Sequence, residues 1–142
     1  MQSDVHIYYF QANPKRKFLC SPLLPGPANS HPRPPESKYA RELWERIRRE
    51  FPELRIYTFW DRPIGPHPVA MFEVNLFTPT QFGAFIPWLD IWRGPLSALV
   101  HPNTTEDDLP EWQRELRNHS QRAIWLGERV PLDLGIFKPR GA

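Results

Sequence analysis

The chain has 142 residues, enough for one domain with a substantial core, and with 40% apolar and 13% aromatic residues it is not composed like a disordered chain. Eighteen basic side chains against sixteen acidic ones leave a net charge of +2, and the arginines of 41–49 are interleaved with Glu42, Glu45 and Glu50. That mixture reads as a solvated helix face and not as a phosphate-binding stripe, so no nucleic-acid partner is expected.

Residues 4–10 are β-branched and aromatic and predict a first strand. The stretch 11–35 then holds seven prolines (Pro14, Pro22, Pro25, Pro27, Pro32, Pro34, Pro35) with little periodicity, which predicts a long irregular surface loop with His31 as a surface residue. From Lys38 to Phe51, Tyr39, Leu43 and Ile47 recur at helical spacing, flanked by Ala40 and Trp44. Arg46, Arg48 and Arg49 suit the negative end of that helix, and Pro52 stops it. Leu54–Trp60 predicts a second strand, ended by the turn from Asp61 to Pro66, and Val69–Phe77 predicts a third.

Thr78-Pro79-Thr80-Gln81 is a capping box with proline at the first helical position. Phe82, Phe85, Ile86 and Leu89 give the helix it opens an apolar face, Pro87 is expected to kink or divide it, and Gly94-Pro95 ends it. Leu96–His101 predicts a fourth strand. A third helix is expected from Thr104 or Thr105, led by Glu106, Asp107 and Asp108, to about His119. Two short apolar segments, Ala123–Leu126 and Leu132–Phe137, close the chain. With no internal repeat, the sequence predicts a single domain over 1–142 carrying a proline-rich inserted loop at 11–36. The β-α-β-β-α-β order predicts an α+β, ferredoxin-like antiparallel sheet in spatial order 4-1-3-2, with helices on one face and a C-terminal helical extension.

Side chains alternate along a strand, so each strand splits into a helix-facing and an open-facing set. Val5, Ile7 and Tyr9 suit the helix side of strand 1, leaving His6, Tyr8 and Phe10 on the open face. Ala70, Phe72, Val74 and Leu76 do the same for strand 3, leaving Met71, Glu73 and Asn75. In strand 4, Leu96, Ala98 and Val100 pack inward while Ser97, Leu99 and His101 look outward. Strands 4, 1 and 3 are neighbours in the expected order, which places His6, His101 and Glu73 close together. Two imidazoles and a carboxylate match the ligand set of non-haem iron(II) sites with open coordination positions.

His67 sits in Gly65-Pro66-His67-Pro68, at the end of strand 3 away from His6, so only a bulge or an inward-folding loop brings it to the same metal. His119 lies on the stripe Trp112, Leu116, His119, which reads either as a core histidine or as an acid/base group beside the metal. A single cysteine, Cys20, cannot form an internal disulfide. The sequence shows neither a secretory pattern nor an apolar run near the roughly 18 residues of a spanning helix, so a cytoplasmic location and no membrane partner are expected.

Several segments together resemble the DOPA 4,5-dioxygenase family of extradiol ring-cleaving enzymes. They are Val5-His6-Ile7-Tyr8-Tyr9, Gly65-Pro66-His67-Pro68 with Met71-Phe72-Glu73, and Leu99-Val100-His101-Pro102-Asn103-Thr104. The last is Asn118-His119 with Ala123-Ile124-Trp125-Leu126-Gly127 and Pro131-Leu132-Asp133-Leu134. The resemblance implies a homodimer whose open sheet face forms a pocket, and insertion of O2 into a catechol such as L-DOPA or caffeate by iron(II), with zinc as a substitute metal. Carried over by position, the family's histidines fall on His6, His67, His101 and His119. The expected assignment is metal ligands from His6, His67, His101 and Glu73, an acid/base role for His119, a hydrogen bond from Tyr8, and an apolar wall of Phe10 and Leu99. Two departures stand out: Asn118 where an aspartate is usual, and the proline-rich insertion after the first strand. A non-catalytic dimeric α+β module that binds a metal or small molecule is the alternative reading of the same residues.

Overall fold

The computed structural model describes residues 2–11, 36–106 and 108–139. The expectations for the proline-rich run, for His31 and for Cys20 fall outside the described residues.

Five strands form one antiparallel sheet in the order β2-β3-β1-β4-β5. β1 (Gln2–Tyr8) is central, pairing with β3 (Met71–Leu76) on one side and β4 (Ser97–Asn103) on the other. Helices α1 (Glu36–Glu50) and α2 (Pro79–Trp92) both pack on one face of the sheet. Ala40, Leu43 and Ile47 from α1 and Phe85 and Leu89 from α2 meet Val5, Ile7, Phe72, Val74, Ala98 and Val100 there. Each fully buried valine, leucine, isoleucine or phenylalanine among them contributes roughly 1.5–3 kcal/mol. A one-residue slip of β1 would exchange Val5 and Ile7 for His6 and Tyr8 in that layer, so the register is firmly set.

β2 is shorter than expected, covering only Arg55–Ile56. Tyr57 N still donates to Glu73 O (2.9 Å) and Trp60 N to Met71 O (2.9 Å), so three residue steps on one strand oppose two on β3. That extra residue is a β-bulge, and it breaks the ladder. α2 opens as its sequence indicates, with Thr78 Oγ1 accepting from Gln81 N (3.1 Å) and Gln81 Oε1 accepting from Phe77 N (2.7 Å). Pro87 does not divide it. Both Pro87 and Gly83, whose carbonyl loses its donor, lie on the exposed side, where solvent can satisfy that oxygen.

Gly94, just past the end of α2, has φ +57, and a Cβ there would lie 2.5 Å from Tyr39 Cζ. Tyr39 is held in place by its hydroxyl, which donates to Trp92 O (2.8 Å). Gly94→Ala therefore combines left-handed strain with displacement of Tyr39. An expected loss of about 2–3 kcal/mol should be visible in urea denaturation.

The C-terminal part departs most from expectation. The third helix, α3, covers Glu111–Asn118 and starts only after Pro110, because a proline disfavours helix in the residue before it and lacks the N–H that a helix interior needs. The closing apolar segments form an edge strand, β5 (Ile124–Leu126, paired with β4), and a short 3-10 helix, Leu134–Phe137. The extension is thus not wholly helical. It also covers the sheet face expected to be open: Tyr8, Met71 and Leu99 are fully buried there with Val130, against Trp125 and Leu132.

Candidate metal centre

The buried polar residues of the covered face gather around one point. His6 lies opposite Leu99, and His101 is two residues further along β4 on the same face. His6 Nε2 and His101 Nε2 are 3.0 Å apart. α3 crosses above them and ends at His119, whose ring centroid is 4.0 Å from that of His101 and 6.1 Å from that of His6. Each of the three offers a ring nitrogen within 4.8 Å of the others, and all three are buried. Two nitrogens each about 2.0–2.1 Å from one cation and set at right angles are about 2.9 Å apart. The His6–His101 separation has that size.

Outward contacts aim these lone pairs inward. His101 Nδ1 lies 3.1 Å from Pro102 O and His119 Nδ1 lies 3.0 Å from Glu115 O. An N–H must point at each carbonyl, which leaves Nε2 unprotonated in both rings. His6 Nδ1 is a buried atom without a hydrogen-bond partner, and Glu73 Oε2 stands 3.7 Å away, opposite it across β1 and β3. A cation on His6 Nε2 would place the ring proton on Nδ1, facing that carboxylate, as metal-bound imidazoles usually arrange. The donor set therefore fits a metal ion.

Electrostatics favour the same state. Burial, reinforced by the neighbouring imidazoles, holds His6 well below the ordinary histidine range and His67 at about 3. Burial first, then His119, brings His101 to about 4, and burial also lowers His119. All four rings are neutral at pH 7, as ligation requires.

His67 reaches the cluster although its strand position argued against it. Ile64 and His67 exchange backbone hydrogen bonds (3.0 and 3.2 Å) around Gly65, whose φ is +56, and Pro66 O accepts from Asp133 N (2.9 Å). This tight turn, fastened to the C-terminal segment, is the inward-folding loop. It sets the His67 ring 4.2 Å from that of His6 and its Nδ1 2.7 Å from Tyr8 Oη. Burial raises the Tyr8 pKa, so the phenol keeps its proton and donates it to His67. Neither His67 nor Glu73 belongs to the group of three whose nitrogens converge.

Other residues complete the surroundings. Asp4, on the same face as His6, accepts from Asn75 and from Asn103 Nδ2 (2.8 Å), and Asn75 Nδ2 also donates to Glu73 Oε1 (2.7 Å). The two-residue period already puts Asp4 on this face, but a reading centred on imidazoles and Glu73 passes over it. A cavity of about 320 Å³ opens beside His119 between Trp125, Val130, Leu132 and Leu134. Its wall comes from the C-terminal segment and not from Phe10 and Leu99, the latter being sealed under that segment.

Asn118 is fully buried, yet its side chain turns from the cluster: Oδ1 accepts from Arg122 (3.1 Å) and Thr104 Oγ1 (3.3 Å), and Arg122 also pairs with Glu106. Its Nδ2 has no partner. An aspartate would keep both accepted bonds and remove the orphaned donor. Asn118→Asp should leave metal content and the melting temperature unchanged, whereas Asn118→Leu should cost about 1–3 kcal/mol in denaturation.

An antiparallel sheet with two helices on one face and a buried histidine triad able to hold a metal ion on the other defines the class. Residues 30–136 match the Dopa 4,5-dioxygenase family, and the chain belongs to it. It is 63% identical over 135 residues to an uncharacterized 21.2 kDa protein of Botryotinia fuckeliana, covering 95% of this chain and 62% of that protein. Over 72 residues it is 42% identical to DOPA 4,5-dioxygenase of Amanita muscaria, 51% of this chain and 28% of the relative. The chain thus spans less than two thirds of the length of either relative. A crystal structure from Nostoc punctiforme, described as that of a candidate dioxygenase, superposes with a TM-score of 0.62 at 25% identity, covering 95% of this chain and 89% of that one. Among the described residues, no helix is long and apolar enough to cross a membrane.

Proposed function

We propose that the protein is an iron(II)-dependent extradiol dioxygenase that opens the ring of a catechol such as L-DOPA or caffeate. The observation that carries this reading is the convergence of His6, His101 and His119 with their ligating nitrogens turned inward. In it, those three histidines hold the metal, and Glu73 orients His6 from behind. Iron(II) would supply neighbouring coordination positions that bring a catechol and O2 to one centre. The ferredoxin-like description of the sheet, extended by β5, belongs to the same reading and is supported by the strand order. So does the homodimer, whose test is the mass in solution.

The chain's own part is to position the substrate and to handle protons. With Tyr8 donating to Nδ1, His67 carries its proton on Nε2 and can give it to a developing oxyanion. In the other neutral tautomer Nδ1–H donates to the Tyr8 oxygen, and the free Nε2 can take a catechol proton, forming an imidazolium that later returns that proton to the oxyanion. This reading moves the acid/base role from His119 to His67. The buried face and its apolar cover keep bulk water from the reacting oxygens.

The test is to load iron(II) anaerobically, add catechols in air, and follow O2 uptake together with the yellow ring-fission product. Stoichiometric iron with turnover of at least one catechol is expected. Iron bound without O2 uptake for any catechol would favour the binding module.

A further inference from the structure

The cavity beside His119 has a property that the triad does not explain. Its walls are mainly apolar (Trp125, Val130, Leu132, Leu134), His119 stands at one side, and Arg129 contributes to its lining. Arg129 is exposed, and among the described residues its guanidinium makes no hydrogen bond or ion pair. Four other arginines are engaged, Arg46 with Glu50, Arg93 with Leu96 O, Arg114 with Leu109 O and Arg122 with Glu106, and what sets Arg129 apart from the remaining ones among the described residues is its place in the cavity lining.

We propose that Arg129 is a specificity-determining residue that binds the carboxylate of an aromatic acid whose ring lies in this cavity, turned toward His119. The proposal rests on the function proposed above and deepens it: L-DOPA and caffeate both carry a carboxylate, and Arg129, in the lining of the cavity beside His119, is the residue assigned to hold it. About 320 Å³ lies at the lower end of the range for small-molecule sites and suits a single substituted ring. Trp125 offers such a ring an aromatic wall, itself fixed by stacking on Tyr8 with centroids 5.7 Å apart. A guanidinium at the rim supplies a planar pair of donors that matches a carboxylate. Because Arg129 is exposed, solvent weakens the pairing, and the preference it gives is about two- to fivefold and not a thousandfold.

The experiment is calorimetric titration of the metal-free protein with hydrocinnamate and with its amide, which share a ring but differ in charge and lack the catechol. Wild-type protein should bind the acid about two- to fivefold more tightly, Arg129→Met should bring the ratio to near one, and Arg129→Lys should restore part of it. Raising the salt concentration should reduce the wild-type preference. An unchanged ratio in Arg129→Met, or no binding of the acid at all, overturns the assignment. Neither ligand touches the catechol chemistry, so these outcomes are independent of iron loading and O2 uptake. Failure of those measurements alongside a normal acid preference would instead sink the dioxygenase reading and leave an aromatic-acid site.

Discussion

His101→Ala is expected to remove metal binding and turnover together while leaving the metal-free fold intact. His101 Nε2 lies 3.0 Å from His6 Nε2, and its lone pair is directed by the Pro102 carbonyl, so its loss removes one of the three converging nitrogens. Metal content should fall below about a tenth of an ion per chain, with turnover down by at least about a thousandfold. A ligand present at a hundred times its dissociation constant stabilises the folded state by about 2.7 kcal/mol, and this gain should disappear in the variant. Glu73→Gln supplies the contrast. Glu73 stands behind His6 at 3.7 Å, so its amide should keep the metal and weaken affinity about 10- to 100-fold, as loss of an outer carboxylate does. Equal loss of metal from both variants would make Glu73 a ligand.

The difference between these two side chains also shows how far the sequence could be read. The two-residue period placed His6, Tyr8, Glu73 and His101 on one face, and in the structure they share that face, because the opposite face of every central strand is a continuous apolar row. What the period could not supply was the cover. Met71, Leu99 and Tyr8 are large apolar or aromatic residues on a face read as open, and that contradiction pointed to a missing layer. Among the described residues, Ala123, Trp125, Val130 and Leu132 of the chain after Asn103 help to provide it. The expected third helix already ended at about His119, and only its start differs, at Glu111 and not at Thr104 or Thr105. His67 was equally invisible to periodicity. A tight turn at Gly65, tied down by the Asp133 amide, depends on contacts between segments more than 60 residues apart.

The same crowding of imidazoles predicts a steep loss of stability in acid for the metal-free protein. In the folded chain His67 is held at about 3 and His101 at about 4, mainly by burial, whereas both titrate near 6.5 once unfolded. Between those limits the unfolded state binds more protons, so stability rises with pH and is lost as pH falls below about 6.5. Each tenfold fall in a ring's proton affinity on folding is worth about 1.4 kcal/mol, so His67 alone corresponds to roughly 4–5 kcal/mol. Because the four rings interact, their effects do not simply add. Glu73 acts in the opposite sense. Burial raises its pKa, so its ionised form is a cost near neutrality that is relieved as pH falls, and it offsets part of the loss. Melting of chelator-treated protein should therefore be level from about pH 8 to 7 and fall continuously from about 6.5 to 4. His67→Gln should flatten the curve, because glutamine takes up no proton over that range in either state. A wild-type melting temperature that stays constant down to about pH 4.5 would mean that these rings are not buried and neutral, and the inward-facing lone pairs would have no basis.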